Sequence, residues 1–205
     1  MPYGYIGQNL PNQTRSNSGV FSISDVADLE KQGKFGGSLE LIEEQTFSGV
    51  ANLDFLTIQE NVYDVHLLQI EKIFHSVATN TGIRLYESGV LESASVYENA
   101  AQSCQSSGTF SEVRSTTNTR LNFGVTNNGA VTNDNESGYG YFYNLGNSSK
   151  YSFYTFMSVV QDNGVQKNHF GGGVLPQAST VNGIRLNMSS SGSSGVARLY
   201  GVKQI

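Results

Sequence analysis

Val181-Asn182-Gly183-Ile184-Arg185-Leu186-Asn187-Met188, then the polar run Ser189–Gly195, then Val196-Ala197-Arg198-Leu199-Tyr200-Gly201-Val202, is the stretch that decides the fold. Ile184, Leu186 and Met188 alternate with Arg185 and Asn187, the two-residue period of a strand with one dry face. A Gly/Ser turn between two such runs is a hairpin signal, and it closes a sheet at the end of the sequence. If that register is right, Ile184→Asp unfolds the domain and Arg185→Ala costs little.

Working outward, short β-runs separated by turn residues recur back to Leu39, at the spacing of a sandwich or barrel. The expected strands are Leu39–Phe47, Val62–Phe74, Gly82–Tyr86, Arg120–Val125, Tyr139–Leu145, Tyr151–Val160, Gly183–Met188 and Val196–Val202. The apolar phase of Tyr63–Phe74 shifts between Leu67 and Leu68, which a β-bulge explains. Tyr139, Tyr141 and Tyr143 alternate against Gly140 in the manner of a half-dry strand. Ser95-Val96-Tyr97-Glu98 has capping-box spacing, but the polar stretch after it carries no apolar stripe, so helix and strand both remain open there.

Composition agrees with this reading. The chain has 205 residues, 38% apolar and only 14% charged, with 23 Gly, 11 Tyr, 11 Phe, 3 Pro and no Trp. Charged residues fall well below the roughly 25% of ordinary soluble domains, the profile of turn-rich β-structure with rings on its strands. A net charge of −5 repels phosphate backbones, and no basic cluster offsets it, so nucleic acid is excluded as a partner. The lone Cys104 makes no intrachain disulfide and reads as a small buried or half-buried thiol. The N-terminus carries neither a basic nor an apolar leader region and no run approaches ~18 apolar residues, so neither export by that route nor membrane insertion is expected.

Residues 1–38 read differently. Met1–Gly19 is Gly, Asn, Gln, Pro and Ser around isolated Tyr3, Tyr5, Ile6 and Leu10, with no apolar period. Ser24–Gly33 reads as a two-turn helix capped by Ser24 and ended by Gly33, with Val26 and Leu29 on one face. Too short to hold alone, that face must pack on something. The segment is expected to be a docking arm for another protein, using Tyr3, Tyr5, Ile6, Leu10, Val20, Phe21, Val26 and Leu29, ahead of a domain over 39–205.

Catalytic chemistry finds no foothold. His66, His75 and His169 lack paired ligand spacing, and adjacent Glu43 and Glu44 point to opposite faces of a strand. Gly171-Gly172-Gly173 lacks the Lys-Ser/Thr of a phosphate loop and reads as a close turn. Asp134, Asn135 and Glu136 offer oxygens to a cation, but without the spacing of a calcium loop. The expectation is a non-enzymatic chain with no cofactor or metal.

Three blocks resemble tailed-bacteriophage virion structural proteins that carry a jelly-roll domain, the tail-fibre and particle-surface type. They are Tyr63–Ile73 running through Asn80-Thr81 into Gly82-Ile83-Arg84-Leu85, His169-Phe170-Gly171-Gly172-Gly173, and the closing block Val181–Gly192 with Ser194–Val202. Ser18–Asp25 is similar to a short anchor segment of such proteins. The resemblance implies an all-β, jelly-roll-like antiparallel sandwich of about eight strands, located in the virion after assembly in the host cytoplasm. It implies a short tail-fibre or baseplate-associated subunit that contacts other virion structural proteins. A capsid decoration protein, or an adhesin whose loop Tyr and Asn residues bind a host surface glycan, are the alternatives. It also implies three-fold symmetry. Tyr151–Val160 carries rings on both parities, so one face is expected in the core and the other against neighbouring copies of a homotrimer, with Tyr154 and Phe156 at that interface.

Overall fold

The structure is a computed structural model that describes residues 38–126, 133–188 and 192–203. The expected docking-arm residues and the helix at Ser24–Gly33 lie outside the described residues. Leu39–Lys203 forms one compact unit.

Its strands in chain order are β1 Leu39–Val50, β2 Asn52–Phe55, β3 Val65–Phe74, β4 Gly82–Glu87, β5 Val90–Leu91, β6 Tyr97–Gln105 and β7 Phe110–Asn118. They continue as β8 Leu121–Asn122, β9 Glu136–Tyr143, β10 Ser152–Asp162, β11 Val165–Leu175, β12 Val181–Asn187 and β13 Ser193–Val202. A large sheet runs β1-β13-β3-β9-β10-β11-β6-β7, and a small one runs β2-β12-β4-β5 with β8 also on β4. Every pairing is antiparallel. The chain crosses repeatedly between the sheets, so inward residues of both form a single core, as the all-β sandwich reading requires.

The closing block behaves as its period demands. Ile184, Leu186 and Met188 are fully buried, and β12 and β13 fall in opposite sheets rather than in one hairpin. Arg185 on the opposite face holds Asp54 through two bonds of 2.6 and 2.7 Å and reaches the Tyr86 hydroxyl at 2.7 Å.

Several segments differ from expectation. Ser95 and Val96 form a turn and Tyr97–Gln105 is strand β6, whose inward side chains are Tyr97, Asn99, Ala101 and Ser103. After Tyr97 these are small or polar and leave no apolar stripe to read. Gly171-Gly172-Gly173 is no turn but the middle of β11, where it runs between β10 and β6. The bulge lies not at Leu67/Leu68 but at Glu71–Ile73, where Lys72 takes φ 53° and its amide donates to Ser137 Oγ. The consecutive burial of His66, Leu67 and Leu68 has another cause: Leu67 points outward and is covered by its cross-strand neighbours Tyr141 and Tyr200.

The largest correction concerns β9 and β10. Tyr154 and Phe156 are 1% and 5% exposed, so they belong to the sandwich core and not to an oligomer interface. Tyr154 stacks on Phe156 at 5.5 Å and on Phe142 at 4.8 Å, with Phe123 closing over both. Gly140 makes room for this: a Cβ there would sit 2.4 Å from the Tyr154 ring. After Glu136 the inner face of β9 is glycine and phenylalanine, and Tyr139, Tyr141 and Tyr143 face out, the reverse of a tyrosine-lined dry face.

Two mutational outcomes follow from this packing. Ile184→Asp is expected to abolish folding, because an unpaired carboxylate replaces a side chain worth about 2 kcal/mol of burial in the driest layer. Arg185→Ala is expected to cost only about 1 kcal/mol, its ion pair being partly solvated, with both read from urea unfolding midpoints. The Tyr154 hydroxyl is buried with no hydrogen-bond partner among the described residues. Tyr154→Phe is therefore expected to stabilise the domain by about 1 kcal/mol, and a lowered melting temperature would contradict that assignment.

Candidate docking face

Two constellations invite a functional reading, one inside the sandwich and one on it. The inner one links Ser193, His75, Thr81 and Glu136. Thr81 Oγ1 donates to Glu136 Oε2 at 2.6 Å, which leaves its lone pairs to accept from His75 Nε2 at 3.2 Å. His75 Nδ1 then accepts from Ser193 Oγ at 2.9 Å. The order hydroxyl–imidazole–hydroxyl–carboxylate has the composition of a nucleophile relay. All four residues are at most 1% exposed, however, so no substrate reaches Ser193. The chain satisfies buried polar groups where β13, the segment after β3, and β9 meet, and we read it as structural.

The other histidines are structural for similar reasons. His66 donates from Nε2 to Ile58 O at 2.7 Å and meets Tyr63 edge-on. His169 Nδ1 accepts from the Val125 amide at 3.3 Å. Burial holds both rings below the ordinary imidazole range. All three histidines are fully buried. Among the described residues, no group of three or more His, Cys, Asp or Glu is arranged to hold a metal. Asp134 accepts from the Asn163 amide and Glu136 lies in the core, so the acidic run does not converge on a common point. Glu43 and Glu44 fall on edge strand β1, where Glu44 pairs with Arg198 at 2.5 Å.

The outer face of the large sheet is different. Cross-strand register lays its outward side chains in rows. One runs Arg198, Gln69, Tyr139, Met157, Phe170, Gln102, Glu112. The next runs Tyr200, Leu67, Tyr141, Thr155, Gly172, Ala100, Arg114. Flanking them are a row through Tyr143, Phe153 and Val174, and a row through Ser137, Val159 and Asn168. Tyr139, Phe153, Met157, Val159 and Phe170 are each between 43% and 47% exposed. Side chains of this size bury roughly 150–250 Å² when covered, so half-exposure of five neighbours leaves on the order of 400 Å² of contiguous apolar surface. Patches of that extent are as large as the largest on ordinary monomers and are often functional.

The face has relief and a defined rim. A concavity of about 500 Å³ lies between Gln69, Glu71, Tyr139, Tyr141, Met157 and Val159. A second, of about 590 Å³, is floored by Ala100 and Gly172 and walled by Phe153 and Val174. From Ser137 to Val174, β9, β10 and β11 present no charged side chain outward. Charge lies to either side of these three strands: Arg198 with Glu44 and Glu71 on one side, Glu98 and Arg114 with Glu112 on the other. An apolar centre inside a charged rim is the anatomy of a protein interface. The sequence predicts that one face of β10 is buried and the other left outward; the outward side chains are Phe153, Met157 and Val159, with Phe170 and Val174 beside them on β11. Gly140 opposite a run of rings was the available signal for which parity faces in.

His66 and His169 set a pH response. Their folded pKa values lie below the unfolded value of about 6.5, so the unfolded state takes up protons first, and the stability they contribute is full above about pH 6.5 and falls as the pH drops below it. Urea midpoints are expected to decline between pH 7.5 and pH 5.5, and His66→Gln, which keeps a donor for Ile58 O, to flatten that slope. An unchanged midpoint over that range would contradict neutral burial.

No family model matches the sequence, and neither a curated protein nor a solved structure gives a significant match.

Proposed function

We propose that this protein is a non-enzymatic virion subunit of a tailed bacteriophage, joined to the particle through residues 1–38 and displaying its β-sandwich at the surface as a short tail-fibre or baseplate-associated subunit. The observation that carries the assembly part of this reading is the uncharged, apolar, shallowly relieved outer face of the large sheet, which suits a macromolecular partner rather than a small substrate. The virion part rests on the resembling blocks, which fall on the strands that frame the sandwich: Tyr63–Leu85 on β3 and β4, Val181–Val202 on β12 and β13. Tyr3, Tyr5, Ile6 and Leu10, apolar side chains in a segment with no core-forming period, supply outward contacts in this reading.

A host-glycan adhesin is the second reading, and the tyrosine ladder favours it. Tyr139, Tyr141 and Tyr143 lie along one strand at ring separations of 6.0 and 6.5 Å, beside the Gln69 amide. Rings in that arrangement stack on pyranoses.

Deleting Met1–Gly19 is expected to leave the β-unit folded by circular dichroism yet remove it from purified particles. Particles carrying the truncated chain at normal copy number would contradict the proposal.

A further inference from the structure

The rows of the outer face carry more information than their apolarity. Counted outward from β10, side chains at equal distances on the two sides fit one another. In the row centred on Met157, Tyr139 and Phe170 are one strand away, Gln69 and Gln102 two strands away, and Arg198 and Glu112 three strands away. In the row centred on Thr155, large matches small: Tyr141 against Gly172, Leu67 against Ala100, and at the rim Tyr200 against Arg114. In the row centred on Val159, Ser137 answers Asn168, Glu71 against Cys104 is a mismatch, and Val196 answers Phe110, which is 81% exposed in the single chain. The row centred on Phe153 sets Tyr143 against Val174, with one mismatch, Val65 against Glu98.

We propose that the outer face of the large sheet is a self-complementary interface that pairs with a second copy of this chain about a two-fold axis running along β10. A rotation about an axis in the plane of the face, parallel to the strand, brings each row onto its own copy with the two sides exchanged. Met157 then meets Met157, Tyr139 meets Phe170, Tyr141 and Leu67 meet Gly172 and Ala100, Gln69 meets Gln102, and Arg198 of one copy meets Glu112 of the other. Two twisted sheets packed face to face keep their strands within about 30° of each other, so register is tightest near the axis and relaxes toward β13 and β7.

The size is sufficient. From β13 to β7 there are six interstrand steps of about 4.8 Å, and the four rows span about 20 Å along the strands, giving a flat footprint of roughly 600 Å² that side-chain relief raises toward the ~800 Å² per partner of a stable interface. A three-fold arrangement would need two different patches on each copy. This face supplies one patch that complements itself, which is why we place a two-fold axis here and not the three-fold implied by the resemblance. The inference stands apart from the virion reading, because pairing is measured on the purified chain and needs no particle.

Sedimentation equilibrium on the full chain is expected to give twice the 22.2 kDa chain mass. Met157→Arg, which sets two guanidinium groups against each other on the axis, is expected to weaken dimerisation at least 100-fold with the far-ultraviolet dichroism unchanged. Val90→Arg, on the small sheet and 71% exposed, is expected to leave the dimer intact. In a Cys104→Ser background, Met157→Cys is expected to cross-link to itself with a short bis-maleimide; this arm decides the matter if Met157→Arg fails to fold. A monomeric wild-type chain at millimolar concentration, a trimeric mass, a dimer indifferent to Met157→Arg, or absence of the 157–157 cross-link would each overturn the two-fold interface.

Discussion

The close approach of the Tyr154 ring to Gly140 is the constraint on which the rest of this structure depends. A strand has two faces, and a segment with rings on both parities must commit one set to the core. Tyr154 and Phe156 go inward because the adjacent strand offers Gly138 and Gly140 on that side, and an aromatic stack fills the space the missing side chains leave. Once β10 is fixed that way, register fixes β9 and β11 with it. The tyrosines of β9 and Phe153, Met157, Val159 and Phe170 are left outward together. The apolar outer face is thus a consequence of how the core is packed, and the two cannot be altered independently.

The interior is more polar than a sandwich needs. Thr81, Glu136, Ser193 and the three histidines are buried, at one end in a directed chain of hydrogen bonds. Breaking one member strands the others, so such a chain contributes to a unique arrangement rather than to stability alone. Lys167 likewise reaches inward and is held by Asp162 and Thr126. Burial keeps His66 and His169 neutral and ties the stability of the interior to pH, while the centre of the outer face carries tyrosines but no carboxylate, imidazole or amine.

What the sequence disclosed follows from where apolar periodicity exists. The alternations at Ile184–Met188 and Val196–Val202 and the long run at Val65–Phe74 were readable, because their inward positions are aliphatic. β6, β7 and β11 were not, since Asn99, Ser103, Ser115, Lys167, His169, Gly171 and Gly173 occupy inward positions that carry no hydrophobic signal. β2 and β5 are too short to show a period. That β10 has a face to spare was visible in its composition; which face was not, because Tyr, Phe and Val appear on both parities and only the glycines of a neighbouring strand decide between them. The outer face itself is assembled from seven strands, from β13 across to β7, and no local pattern announces it.

The most direct measurement is hydroxyl-radical footprinting of the full chain at concentrations spanning assembly, read residue by residue. The account predicts that Tyr139, Phe153, Met157 and Phe170 react readily at the lowest concentrations and become protected together as concentration rises, while Tyr154, Phe156 and Met188 stay protected throughout. Reactive Tyr154 and Phe156 in the dilute protein, or Met157 and Phe170 that remain equally reactive at every concentration, would contradict it.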